Sequence, residues 1–324
     1  MNHTIISSSK DPAFNLAAEE YLLRQKKEDY AFFYINRPSV IIGKHQNALA
    51  EINLPYLEEQ NIPVFRRMSG GGTVYHDEGN LNFCFIKNGD NSDLVNFKKA
   101  TEPIVSALQR RGLPARNGER NDLLLNYKKI SGNACHVFKR RVMHHGTLLY
   151  QSDLNRLTGS LKSDPTRFED KAVKSVRSEV VNINQVLQSK ETTTEFLQNL
   201  VEDLLRNNTD WEKATFSKVD LEKIEELKKE KYDHSEWNYR YGPAYTFKKR
   251  LQSGRLVFGV KLRVEKGRIT QLEIKGNYKP EEDLKALEIR LLGCYHDKNS
   301  LLKLLQETDN LLPLPAGEFI KALI

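Results

Sequence analysis

Long apolar runs are missing from this chain. No stretch of eighteen or more apolar residues occurs, so the sequence holds no candidate membrane-spanning helix. The opening segment MNHTIISSSKDP lacks a basic region followed by a long apolar stretch, so a secretory signal is not expected. Cysteine is scarce: Cys84, Cys135 and Cys294 form an odd and scattered set of three. That argues against a disulfide framework and for a reducing, cytoplasmic setting. CxxC and HxxxH spacings are absent, which argues against structural zinc. A Walker A loop is absent as well, since Gly72 is followed by Thr73, Val74 and Tyr75 rather than by the lysine and hydroxyl residue of that motif. No GxGxxG opens a helix. A nucleotide would have to be held by another device.

What is present is an ordinary globular composition. The chain has 324 residues, 39% apolar, 29% charged, with a net charge of +7. That length favours two domains. The basic clusters Lys139–Arg141 and Lys248–Arg250 raise nucleic-acid binding as a reading. They lack the interleaved aromatics of single-strand binders, so a basic solvated surface is the better account. Attraction of an acidic protein partner is a third.

Patterning yields a mixed α/β layout. Asp11-Pro12 reads as an N-cap and first helical residue, opening a helix to about Lys27 with Phe14, Ala17, Ala18, Tyr21 and Leu22 on one face. Ala31–Ile35 and Val40–Gly43 read as buried strands, and Leu81–Ile86 as an alternating one. A helix is expected from about Asn96 to Arg111. Strands follow at Asp122–Asn126, Lys129–Ala134 and Arg141–Tyr150. Phe196, Leu197, Leu200, Val201, Leu204 and Leu205 mark an amphipathic helix. Lys213–Lys231 reads as a charged, largely solvated helix. Past Gly242-Pro243 the chain changes character: Arg255–Val264 turns at Glu265-Lys266-Gly267 into Arg268–Lys275, and helices follow near Glu282–Leu292 and Ser300–Gln306. The expected division is 1–245 and 246–324.

The most informative stretch is RRMSGGGTVYHDEGN, 66–80. Three glycines permit positive φ angles and leave amides uncovered, so such a loop can wrap an anion with backbone dipoles. The arginines add fixed charge beside it. Two further segments belong with it: RNDLLLNYKKISGNA (120–134), where Lys129 could reach from a sheet edge toward a ligand in the loop, and HHGTLL (144–149). In the latter His145 and Thr147 share one strand face, and Gly146 suggests a close approach to the sheet.

These three segments in this order closely resemble the lipoate–protein ligases. The likeness extends to NLAAEEYLL (Asn15–Leu23), PSVIIGKHQN (Pro38–Asn47), KSVRSEVVNI (Lys174–Ile183) and WNYRYGPAYTF (Trp237–Phe247). It implies a mixed-sheet α/β catalytic domain of the kind shared with biotin ligases, plus a small α+β accessory domain that could close as a lid. It implies ATP, Mg²⁺ and lipoate as reactants. Lipoate would attack the α-phosphate to give lipoyl-AMP, and an acceptor lysine would then displace AMP.

In that scheme Lys129 and Arg67 stabilise the charge that develops. Gly70, Gly71, Gly72, Thr73, Val74 and Tyr75 line the adenylate, and Asn80 contacts base or ribose. Asn121 and Asp122 orient phosphate, Asp122 as the metal ligand. His145 lines the acyl and phosphate end, while His76 and Asp77 hold the loop in shape. Tyr34, Ser69, Lys129 and Gly146 belong to the lipoate pocket, with Val40, Ile42 and Leu149 as further wall candidates. Family members often carry tryptophan where this chain has Tyr34, which leaves lipoate versus octanoate open. The implied acceptors are lipoyl domains of 2-oxoacid dehydrogenase E2 subunits and the glycine-cleavage H protein, met by a monomer, with no nucleic acid and no membrane. The rival reading is an octanoyl or lipoyl acyltransferase of the same fold using Cys135 as nucleophile. A biotin ligase is a second rival, but its loop intersperses arginine among the glycines.

Overall fold

A computed structural model describes residues 2–89, 95–161 and 163–324, and all side chains among these except that of residue 309. Its centre is an eight-stranded sheet. From edge to edge it runs Trp211–Lys213, Asn2–Ile6, Tyr30–Ile35, Asn80–Asn88, Arg141–Leu149, Lys128–Phe138, Asp122–Leu125, Arg116–Asn117. The first two pairings are parallel and the rest antiparallel, so the sheet is mixed, as expected.

Both faces of this sheet are covered. Helices Phe97–Arg110 and Thr193–Asn207 pack Ile104, Leu108, Phe196 and Leu200 against Phe33, Phe83, Phe85 and Leu148. The other face carries helix Pro12–Gln25 and a three-stranded sheet of Val64–Arg66, Ser39–Ile42 and Val74–His76. Burying each large apolar side chain in these layers contributes roughly 1.5–3 kcal/mol.

The first helix starts as the sequence predicts: Asp11 accepts from the Ala13 amide, with Pro12 at the first turn. It is buried all round from Pro12 to Leu23 rather than on one face. The reason is the charged segment expected to be solvated. Helix Lys218–Leu227 and the wide turn Lys228–Tyr232 lie on it and bury Ile224 and Tyr232. Glu20 meets Lys231 at 2.6 Å and the Tyr232 hydroxyl at 2.7 Å, and Asp220 accepts from Tyr21 at 2.5 Å. The stretch Lys213–Lys231 is otherwise solvated as expected, with only Asp220 and Ile224 buried.

The two-residue hairpins follow local chemistry. Asn126 and Tyr127 both take positive φ between Leu125 and Lys128, and Lys266-Gly267 does the same between Glu265 and Arg268. The tail forms an antiparallel sheet, Tyr245–Ser253, Leu256–Glu265 and Arg268–Gly276, to which Phe168–Asp170 adds an edge strand. Helices Glu281–Leu291, Lys298–Glu307 and Ala316–Leu323 cover one face; the last was not foreseen. The same core takes in Val40, Ile42, Leu49 and Val64 from the first part of the chain.

Arg66 fastens this junction. Its buried guanidinium donates to the carbonyls of Gly43, Lys44, Gln46, Trp237 and Asn238, and its own carbonyl accepts from the Trp237 indole at 2.6 Å.

Candidate active site

Between the large sheet and the three-stranded sheet lies a cleft of two joined lobes, about 260 Å³ and about 360 Å³. Lys129 sits where they meet and lines both. The first lobe has apolar walls from Leu16, Tyr34 and Ile41 and a polar mouth from Arg120, Asn121 and Asp122. The second is walled by Tyr75, Leu149, Leu157, Leu161, Pro165 and Val180.

The glycine loop forms the bridge between them. Arg67 is buried beneath it and donates Nη2–H to the carbonyls of Gly70 (2.6 Å) and Gly72 (2.7 Å), Nη1–H to Ile41 O (3.1 Å) and Nε–H to Ser69 Oγ (3.1 Å). A peptide C=O and its N–H point opposite ways. Drawing the Gly70 carbonyl down onto Arg67 therefore turns the Gly71 amide away from it. The amides of Gly70, Gly71 and Gly72 have no acceptor among the described residues. Free amides in such a loop are candidate donors to an anion, as in a backbone nest, and Arg67, which lines the first lobe, commits its fork to the loop carbonyls. Burial lowers the Arg67 pKa to about 10, with Glu19 and Tyr34 opposing, so it stays charged near neutrality.

Gly71 takes φ +86°, which favours glycine, and Gly43 is required by contact: a Cβ there would stand 2.2 Å from Gly71 O. Gln46, fully buried, accepts from the Gly43 amide and Thr73 Oγ1 (both 2.9 Å) and donates to Val173 O and Ser175 Oγ. It ties the loop to an irregular strap, residues 171–180, that crosses the cleft. Ser175 Oγ accepts from the Thr73 amide at 2.8 Å, and Gly72 leaves room for that serine. The strap also pins Lys129: its amide donates to Glu179 O, and its carbonyl accepts from Val181. The Lys129 ammonium is thus presented by a fixed backbone, and Nζ has no hydrogen bond or ion pair among the described residues. Burial lowers its pKa, Asp122 opposing.

A buried relay lies beneath the first lobe. Arg67 donates to Ser69 Oγ, Ser69 Oγ lies 2.6 Å from His145 Nε2, His145 Nδ1 lies 2.8 Å from Glu19 Oε2, and the Tyr34 hydroxyl donates to Glu19 Oε1 at 3.0 Å. With Nδ1–H facing the carboxylate, Nε2 accepts from the serine, and every proton has a place. A second chain fixes His76. Asn15 Nδ2 donates to Asn36 Oδ1, so Asn36 Nδ2 donates to His76 Nδ1, at 3.0 Å. The proton of His76 therefore sits on Nε2, which is buried without a partner among the described residues, and His76 lines the first lobe. Burial, then the charge of Arg67, lower the His76 pKa to about 3, so the ring is neutral.

Most of the residues singled out in the sequence meet here. Tyr34, Arg67, Gly71, Gly72, Thr73, Val74, Asn121, Asp122, Lys129, His145 and Gly146 line the first lobe, and Tyr75 and Leu149 the second. Ser69 and Gly70 lie just beneath the wall, held by Arg67. Asn80 is fully buried, lines neither lobe and donates to Asn82, which does line the first. Val40 and Ile42 face the core shared with the tail, and Ile41 takes the wall position. The close approach at Gly146 is made by the protein's own Asn133 and Phe83, which a Cβ would strike. Among the described residues, none beyond Val180 lines either lobe. Cys135 lines neither, and burial raises its pKa, the reverse of what a thiolate nucleophile needs. Glu19, Gln46 and the strap were missed as site parts. Two adjacent glutamates inside an apolar helix were the available signal.

Comparison with known proteins fits this geometry. The model of the lipoyl protein ligase A/B catalytic domain matches residues 11–205, and that of the bacterial lipoate protein ligase C-terminus matches 243–323. Lipoate–protein ligase 1 of Staphylococcus aureus is 41% identical over 92% of this chain and 92% of its own length. Lipoate-protein ligase LplJ of Bacillus subtilis is 39% identical over 91% of each. A lipoate–protein ligase A structure bound with ATP superposes with a TM-score of 0.64 at 28% identity, covering 74% of this chain and 99% of that one. A bipartite ligase from Thermoplasma acidophilum, described with its E2 lipoyl domain, gives 0.64 at 27%, covering 74% and 96%.

Proposed function

This chain belongs to the lipoate–protein ligase family, and from that premise we propose how its cleft divides the chemistry. The protein is an ATP-dependent ligase that joins lipoate to lysines on lipoyl domains of partner proteins. The lipoyl chain takes the first lobe, along Leu16, Tyr34 and Ile41, and the nucleotide base takes the second, beside Tyr75 and Leu149. The carboxylate and α-phosphate then meet at the junction. The observation that carries this reading is Lys129: an unpaired ammonium on a pinned backbone where the two lobes join.

Two anions approach each other in the first step. A lipoate oxygen attacks the α-phosphorus and the bond to pyrophosphate breaks. Lys129 stabilises the charge on the phosphoryl oxygens, and the amides of Gly70, Gly71 and Gly72 offer donors beside it. Arg67 supplies charge from beneath and holds that nest in shape. In the second step an acceptor amine attacks the acyl carbon, the acyl–oxygen bond breaks, AMP leaves with the electron pair, and the amine sheds a proton. Among the described residues Asp122 is the one carboxylate lining the first lobe, which suits a Mg²⁺ brought in by phosphates and needing few protein ligands. That ion supplies charge neutralisation at the phosphates.

The acceptors fitting this assignment are E2 subunits and the glycine-cleavage H protein, met by a cytoplasmic monomer. Residues 1–245 form the catalytic part and 246–324 the accessory part.

The test is incubation with ATP, Mg²⁺ and lipoate, followed by mass analysis. Lipoyl-AMP and pyrophosphate are expected, with Lys129→Ala forming neither at a wild-type rate while remaining folded. Absence of adenylate from the wild-type protein, or its normal formation by Lys129→Ala, overturns the reading. Cys135→Ser should keep full turnover, where a thioester enzyme would lose it.

A further inference from the structure

Among the residues that line both lobes, the charged ones are Lys129 and Lys174. Lys129 already has its place in the reaction. Lys174 does not: it lies on the strap, and its ammonium pairs with Asp170 at 2.7 Å. We infer that Lys174 is a second oxyanion-binding residue of the junction, one that exchanges the Asp170 carboxylate for the phosphate and carboxylate oxygens of the reactants. This rests on the two-lobe assignment above.

Three features support the exchange. The first is charge. A triphosphate and a carboxylate bring several negative charges to one place. Arg67 answers from beneath the loop, with four of its N–H groups committed to protein acceptors. Arg120 lines only the first lobe and Arg177 only the second, so Lys129 alone would be left to meet them at the junction.

The second is mobility of the right kind. Ser175, next in the chain, is anchored through its hydroxyl to the Thr73 amide and through its amide to the Glu51 carboxylate. The backbone of the strap is therefore set, and only the four-carbon arm of Lys174 has to swing. That side chain is 41% exposed, while the Asp170 side chain is fully buried.

The third is what the lysine leaves behind. Asp170 also accepts from the Ala172 amide at 3.1 Å and from Asn47 Nδ2 at 3.4 Å. The carboxylate keeps donors when the ammonium departs. Lys174 donates hydrogen bonds throughout and transfers no proton, so the atom balance of adenylation is unchanged.

The experiment compares the full chain with Lys174→Met, Lys174→Arg and Asp170→Asn. Four quantities are read: ATP binding by calorimetry, pyrophosphate release against ATP concentration, transfer from synthetic lipoyl-AMP, and Tm. Lys174→Met should weaken ATP binding and lower kcat/KM for adenylation by on the order of 10²-fold, the scale for losing one donor at a developing charge. Transfer from lipoyl-AMP should suffer less, and Lys174→Arg should recover most of the loss. Asp170→Asn removes the competing anion and should bind ATP at least as tightly as wild type. Unchanged ATP binding and adenylation in Lys174→Met overturn the inference. So does a loss in Asp170→Asn equal to that in Lys174→Met, because the pair would then be a fastening of the strap. A wild-type chain that forms no lipoyl-AMP is a different failure and strikes the functional assignment itself.

Discussion

Glu19 Oε2 lies 2.8 Å from His145 Nδ1, both residues buried at the first lobe of the cleft. The carboxylate also accepts from Tyr34, so one glutamate orients two lining residues. Glu19→Ala should leave the Tyr34 hydroxyl and the His145 N–H without acceptors, at about 3 kcal/mol of stability. Glu19→Gln keeps an acceptor and should lose less. Thermal or urea unfolding measures this, and equal stability for the two variants would contradict the relay.

Adenylation should fall on the alkaline side. Burial lowers the Lys129 pKa, so the ammonium is lost at a lower pH than for a free lysine, and stabilisation of the phosphoryl charge is lost with it. A pH profile of kcat/KM for pyrophosphate release should show that basic limb, and Lys129→Arg should shift it upward or abolish it. An unmoved limb in that variant would assign it to another group.

Acid should destabilise the fold through its buried imidazoles. His76 and His296 are held by burial at about 3 and about 4, below the ordinary value of 6.5. The unfolded chain takes up protons that the folded chain refuses. Their stability contribution is therefore complete above the unfolded pKa and is lost as pH falls below it. Each should contribute a loss of about 2 kcal/mol by pH 5. Unfolding at pH 7.5 and pH 5 tests this, and His76→Gln should flatten the dependence. A slope identical to wild type would show that His76 titrates normally.

Gly43→Ala places a methyl 2.2 Å from Gly71 O, and backbone must move to admit it. The displaced loop should cost about 1–3 kcal/mol of stability. Adenylation should drop on the order of 10²-fold, as expected when donors are misplaced by about an ångström. Wild-type rates and Tm together would mean that the loop tolerates the shift.

The start of the first helix, the turn at Lys266-Gly267 and the glycine loop were legible in the sequence because local chemistry decides them, and the turn expected at Tyr127-Lys128 lies one residue earlier, at Asn126-Tyr127. Capping, positive φ and side-chain period act over a few residues. Ser39–Ile42 was legible as a strand but not in its facing. All four residues are buried, so alternation gives no sign, and only packing turns Ile41 to the cleft and Val40 and Ile42 to the core. Lys213–Lys231 is largely solvated, as its charge suggested, but the inward contacts of Asp220 with Tyr21 and of Lys231 with Glu20 were not legible, because those partners are distant in sequence.

By itself, then, the sequence determined the glycine loop and the strand that carries Lys129, since each is written in adjacent residues, and the family resemblance implied the mixed sheet that joins them. Tertiary structure alone decided which way each donor points. It bound Arg67 to the carbonyls of Gly70 and Gly72, put Glu19 behind His145, and brought Lys174 to the same two lobes as Lys129. Those relations join segments far apart in the chain, and hydrogen-bond direction is fixed only once such segments are packed.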